Sequence, residues 1–145
     1  MRRHAKRSSV VKKRYRPLDH EEIAILNRLL ELPFPGRDEL RGQLKMASVN
    51  EIECTDACGS LEFKVPSNAR KAEVVNHPAV EAVGHDADGV PYEALLHVVE
   101  GVLHELEFWK GDGSDFVRRP RATDLVVRKG PWDGVVNLDE LSGDL

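Results

Sequence analysis

His97 and His104 are the residues whose spacing most directly suggests chemistry, because they flank Glu100-Gly101, a turn signal between two apolar runs. With a two-residue turn, position 97 faces 104 and position 95 faces 106. Two imidazoles then lie across a hairpin, near enough to share an ion. A zinc site takes three protein ligands or more. His77, His85, Cys54 and Cys58 are the available thirds, and no spacing sets any of them beside the pair. His97 and His104 are thus a candidate metal pair, set against the plainer reading that both fill positions of an amphipathic sheet.

Other reactive side chains form weaker patterns. Glu105 and Glu107 share a strand face, about 7 Å apart by strand geometry, which suits paired carboxylate chemistry. Alternating acids also make an ordinary wetted face, and no substrate pocket is readable around them. Cys54 and Cys58 are spaced Cys-x3-Cys in a loop between strands, without the helix start that a redox dithiol uses, so they read as buried or inert thiols. Asp86, Asp88 and Gly111-Asp-Gly-Ser-Asp115 hint at oxygen clusters for calcium, but Asp-Gly is turn chemistry first. The chain carries no Walker loop, dinucleotide fingerprint, nucleophile elbow or metalloprotease helix. No catalytic residue is assigned, no cofactor is expected, and the balance leans away from an enzyme.

Charge is the second signal. Met1–Arg16 holds eight Lys or Arg and no acid, whereas residues 17–145 hold 13 basic against 25 acidic groups. The net charge of −4 therefore conceals a cationic arm on an anionic body, a division that concerns partners more than fold. Arg2, Arg3, Lys6, Arg7, Lys12, Lys13, Arg14 and Arg16 are candidate phosphate or anion contacts. Arg118, Arg119 and Arg121, around Pro120, form a smaller basic patch that could assist them. Trp109 and Trp132 are candidate interface residues. With too few apolar side chains to repay ordering, residues 1–16 read as a disordered arm. A single domain follows over 17–138, and 139–145 read as a frayed tail.

The elements that position these residues change period once. Asp19 and Glu22 form a capping box, with Leu18 and Ile23 as its staple, ahead of an apolar stripe at Ile23, Leu26, Leu29 and Leu30. Pro33 and Pro35 end this helix, and a shorter one spans about 38–45. From Ala47 the period falls to 2. Strands are expected over 47–54, through Leu61, Phe63 and Val65, over 71–75 and 80–84, and on either side of the turns at Asp88-Gly89 and Glu100-Gly101. The expected fold is α+β, with two short N-terminal helices packed on a mostly antiparallel, twisted β-meander. The stretches 90–99 and 102–110 carry apolar residues on both faces near their turn.

Arg16-Pro-Leu-Asp-His-Glu-Glu22, Leu29-Leu30 and Phe34-Pro-Gly-Arg-Asp-Glu-Leu-Arg-Gly-Gln-Leu44 resemble a family of small uncharacterised bacterial proteins. Gly59-Ser-Leu61, Asp88-Gly-Val-Pro91, Leu95-Leu-His97 and Glu105-Leu-Glu107 resemble its later parts. The likeness spans about residues 16–115 and implies a bacterial, single-domain, helix-then-sheet protein of no established activity. The leading expectation is a cytoplasmic, non-enzymatic adaptor or regulatory domain that binds another protein or forms a homodimer, with no membrane partner. Nucleic-acid association through the arm is one alternative, and a small metal protein or enzyme using His97 and His104 is the other.

Overall fold

The first helix, α1 (His20–Leu29), starts where its cap predicts. Asp19 is extended, and its carboxylate accepts the Glu22 N–H at 2.8 Å, while Glu22 Oε1 accepts the Asp19 N–H at 2.9 Å. Two of the amides that a helix start leaves without partners are thereby satisfied. The buried stripe is Glu22, Ile25, Leu26 and Leu29, followed by Leu30. Ile23, expected in that stripe, is exposed. The i, i+3, i+4, i+7 series begins one residue earlier, at a glutamate whose carboxylate turns inward to meet two arginines. A second helix, α2 (Arg37–Leu44), buries Leu40 and Gln43.

The computed structural model describes residues 13–52 and 58–128. Its strands are β1 (Ser48–Glu51), β2 (Leu61–Lys64), β3 (Val80–His85), β4 (Pro91–Val99), β5 (Val102–Lys110) and β6 (Val126–Val127). They form one open antiparallel sheet in the order β1-β2-β5-β4-β3-β6. The fold is therefore α+β, with two short N-terminal helices against a mostly antiparallel sheet. Residues 71–75, expected as a strand, are instead irregular. They belong to the connection that carries the chain from β2 to β3, with β5 and β4 lying between. The Ala72 N–H donates to the Gly101 carbonyl at 2.9 Å, tying this connection to the β4–β5 turn.

That turn contains two residues, as expected, with Val99 opposite Val102. Glu100 and Gly101 both adopt positive φ, 52° and 80°, a pairing that suits the twist of a hairpin. A Cβ on Gly101 would sit 2.8 Å from the Ala72 carbonyl oxygen and 2.9 Å from Lys71 Cβ. Gly101→Ala is therefore expected to destabilise the fold by about 1–3 kcal/mol in urea denaturation, through both φ and the clash.

The register then slips. Val98 still faces Leu103, but His97 faces Glu105, so a bulge leaves His104 without a cross-strand partner in the ladder. The expected pairing of 97 with 104 and 95 with 106 is corrected accordingly. The faces change with it. Tyr92, Ala94, Leu96 and Val98 of β4 now share the buried side with Leu103, Leu106, Phe108 and Lys110 of β5. Strict alternation from Leu103 would instead have aimed Glu105, Glu107 and Trp109 into the core. The bulge reverses that parity and sends all three outward. Under the helices the core unites Leu26, Leu29, Leu30 and Leu40 with Val49, Leu61, Leu96 and Leu106. At one end the Tyr92 ring packs edge-on to Phe108 and Phe116, at 6.1 and 5.4 Å between centroids.

Candidate functional site

The sheet face away from the helices collects the polar and aromatic side chains that alternation turns outward. Rows can be read from the register. Glu62 on β2 stands opposite Glu105 on β5, which stands opposite His97 on β4. The next row runs Glu107, Leu95, Glu81, and the next Trp109, Glu93, Val83, Val126. Trp109 is 53% exposed, and Val99 beside the turn is 49% exposed. The face thus combines five glutamates with Trp109, Leu95, Val83 and Val99. Its described positive charge comes from Lys64, from Arg128, which pairs with Glu81 at 2.9 Å and Glu93 at 3.7 Å, and from Lys13, which pairs with Glu62 on β2.

The two histidines occupy different settings. The His97 Nε2 lies 2.9 Å from Glu107 Oε1, an imidazole–carboxylate contact made possible by the slipped register. His104 is the exposed bulge residue. Among the described residues no group of three or more His, Cys, Asp or Glu is arranged to hold a metal ion. Cys58 is buried as expected, but it is disulfide-bonded and not an inert thiol; Cys54 lies outside the described residues.

Two charge clusters were not legible in the sequence. In the first, Lys110 is buried, and its Nζ donates to Asp86 Oδ2 at 2.9 Å, Asp88 Oδ2 at 2.8 Å and the Asp115 carbonyl at 2.8 Å. All three ammonium protons are thereby used. Asp86 also accepts the backbone N–H groups of Ala87, Val117 and Arg118. Burial pushes the Asp86 carboxyl up, but Lys110 and these amides outweigh it and bring the pKa down to about 2. The aspartates therefore bind the chain after β5, and are not arranged as an open oxygen cluster for calcium.

The second cluster surrounds Glu22. Arg16 forks onto both of its carboxylate oxygens, at 2.9 and 2.8 Å, and also reaches Glu51. Arg119, far along the chain, donates to Glu22 at 3.1 Å and Asp19 at 2.8 Å. Burial raises the Glu22 carboxyl, but Arg16 and the Asp19 amide lower it below the usual range overall. A capping glutamate is recognisable from sequence, whereas its two guanidinium partners are fixed by tertiary contacts alone.

The remaining candidate residues are placed as follows. Arg118 and Arg121 both pair with Asp124, at 3.4 and 3.5 Å. The three arginines around Pro120 thus engage carboxylates of their own chain. Lys13 Nζ pairs with Glu62 at 2.8 Å, and the Arg14 N–H donates to the Asn50 side chain. Arg16 forms an antiparallel bridge with Val49. Arg2, Arg3, Lys6, Arg7, Lys12 and Trp132 lie outside the described residues. An open recess of about 330 Å³ lies beside α2, lined by Asp38, Glu39, Gln43, Met46 and Arg70 among others. The Gln43 amide there is already committed to backbone groups. Among the described residues no helix is long and apolar enough to cross a membrane.

A family model described as "Domain of unknown function (DUF6984)" covers residues 15–120. No curated protein and no solved structure matches. The chain belongs to the DUF6984 family.

Proposed function

We propose that this member of the DUF6984 family is a non-enzymatic binding domain whose outer sheet face engages another protein or a second copy of the chain. The observation that carries the reading is the asymmetry of the sheet. One face is covered by α1, α2 and the segment after β5 that carries Phe116 and Leu125. The other presents Trp109 and Val99, each about half exposed, among Leu95, Val83 and a set of carboxylates. An aromatic residue ringed by polar groups is the composition from which interface hot spots are drawn. Binding through this face requires no catalytic set, and its acidic character favours a partner carrying basic groups.

Trp109→Ala tests this. In sedimentation velocity, self-association through the face appears as a dimer that weakens in the variant. In quantitative affinity capture from the source organism, a partner of the face is retained by the wild type and by Met46→Ala, a change of an exposed side chain beside α2. Its retention by Trp109→Ala is expected to fall about fivefold or more, the loss of a residue contributing upward of about 1 kcal/mol. If neither self-association nor any captured protein depends on Trp109, the reading fails.

A further inference from the structure

Residues 111–125, between β5 and β6, cross the helix side of the sheet and are fastened there by side chains. Among the described residues no backbone–backbone hydrogen bond joins 114–123 to the rest of the fold. Charged groups make the attachments instead. Asp86 accepts the N–H groups of Val117 and Arg118, and Lys110 holds the Asp115 carbonyl. Glu21 Oε2 accepts the Ala122 N–H at 2.8 Å, and Arg28 Nε donates to the Leu125 carbonyl at 3.2 Å. Arg119 spans Asp19 and Glu22. Charged groups give up hydration to form such contacts, so the net hold of each is small. Apolar anchorage rests mainly on Phe116, Pro120 and Leu125. Where the segment meets the sheet, Phe116 packs on Tyr92. The buried Tyr92 hydroxyl and Arg118 Nε have no hydrogen-bond partner among the described residues, a cost that exposure to water removes. The chain then enters β6, which holds β3 through two paired residues and the Arg128 N–H, donated to the Glu81 carbonyl at 2.9 Å.

We infer that residues 111–128 form a detachable strap, which lifts from the sheet and releases β6 as one unit while α1, α2 and β1 to β5 stay folded. The contrast in fastening carries this. β4 and β5 are paired from Tyr92 to Val99, whereas the strap has side-chain clasps and a two-residue strand. Segments with few buried apolar contacts open ahead of the core. Opening also changes the opposite face of the sheet. Val126 leaves the Trp109 row, and Arg128 leaves Glu81 and Glu93. The edge of β3 is uncovered with them. The strap thereby regulates both the charge and the apolar content of the outer face. Its opening needs no partner at that face, and the test reads the chain alone.

Native-state hydrogen exchange of the full chain, at neutral pH and low urea, supplies that test. The amides of Val117, Arg118, Ala122 and Arg128 are expected to share one opening. Its urea dependence should be weaker than that of the Leu30 amide at the end of α1, which exchanges through global unfolding. Arg119→Gln removes a clasp that bonds to none of those four amides, while Arg16 keeps Glu22 paired. It should accelerate all four by one common factor of about fivefold. Leu40→Val thins the core under α2, away from the strap, and should accelerate Leu30 while leaving the four strap amides unchanged. Matching rates and urea dependence for the four amides and Leu30 would overturn the inference. So would a failure of Arg119→Gln to accelerate all four together, or equal acceleration of the strap and Leu30 by Leu40→Val.

Discussion

Lys110→Met is expected to lower the thermal midpoint by roughly 10–20 °C. Removing one partner of a buried ion pair leaves the other charge without compensation, which costs far more than the pair itself contributes. The residual charge is Asp86, buried at the base of the loop after β5. The same lysine also holds the Asp115 carbonyl, so the approach to Phe116 loosens as well.

The pH dependence gives this result its signature. Asp86 has a folded-state pKa of about 2, below the usual carboxylate value of about 3.9. A depressed carboxylate pKa contributes stability that is present above the unfolded value and is lost as pH falls through the folded one. The deficit of the variant relative to wild type is therefore expected to be greatest above about pH 4 and to narrow toward pH 2. Thermal melts of the two proteins at intervals across that window check both parts. A deficit that stays constant down to pH 2 would place the effect elsewhere than in the ion pair.

Gln43→Leu is expected to cost about 2–4 kcal/mol in urea denaturation, although leucine has a similar volume and suits a buried helix position. The Gln43 side chain is a three-way splice. Its Nε2 donates to the Arg70 and Gly101 carbonyls at 2.8 Å each, and its Oε1 accepts the Leu103 N–H at 2.9 Å. One residue of α2 thus holds the irregular connection, the β4–β5 turn and Leu103, the second residue of β5. Leucine leaves the buried Leu103 N–H without its acceptor, whereas the Gly101 carbonyl keeps the Ala72 N–H. Gln43→Glu separates hydrogen bonding from volume: it retains the acceptor for Leu103 but loses the amide donors. Its cost is expected to exceed that of a surface substitution, with amide exchange at Leu103 remaining slow. Rapid exchange at Leu103 in Gln43→Leu, with protection retained in α1, would confirm that the lesion is local.

How much of this was legible in the sequence depends on the range of the interaction. The α1 start was legible because Asp19 and Glu22 act on amides within their own turn. The hairpin at Glu100-Gly101 was legible because its backbone demand falls on those two residues. The sequence by itself also determined the α+β class, the antiparallel pairing on either side of each tight turn, and the separation of a basic arm from an acidic body. These follow from local periodicity, turn chemistry and composition.

Tertiary structure alone decided which face the β5 residues occupy. Two-residue turn chemistry predicts unbroken alternation, but the bulge at His104 is selected by the core, which gains Leu106 and Phe108 and expels Glu105, Glu107 and Trp109. The same slip separated the anticipated histidine pair and set His97 against Glu107. Ile23 was misplaced for a related reason, because a glutamate held by two arginines can occupy the buried stripe that periodicity assigns to an apolar residue. Arg119, Lys110 and Gln43 acquire their roles from partners up to about a hundred residues away. No local pattern encodes such pairings. They exist only once burial has removed water as the alternative partner, and that removal is a property of the folded chain.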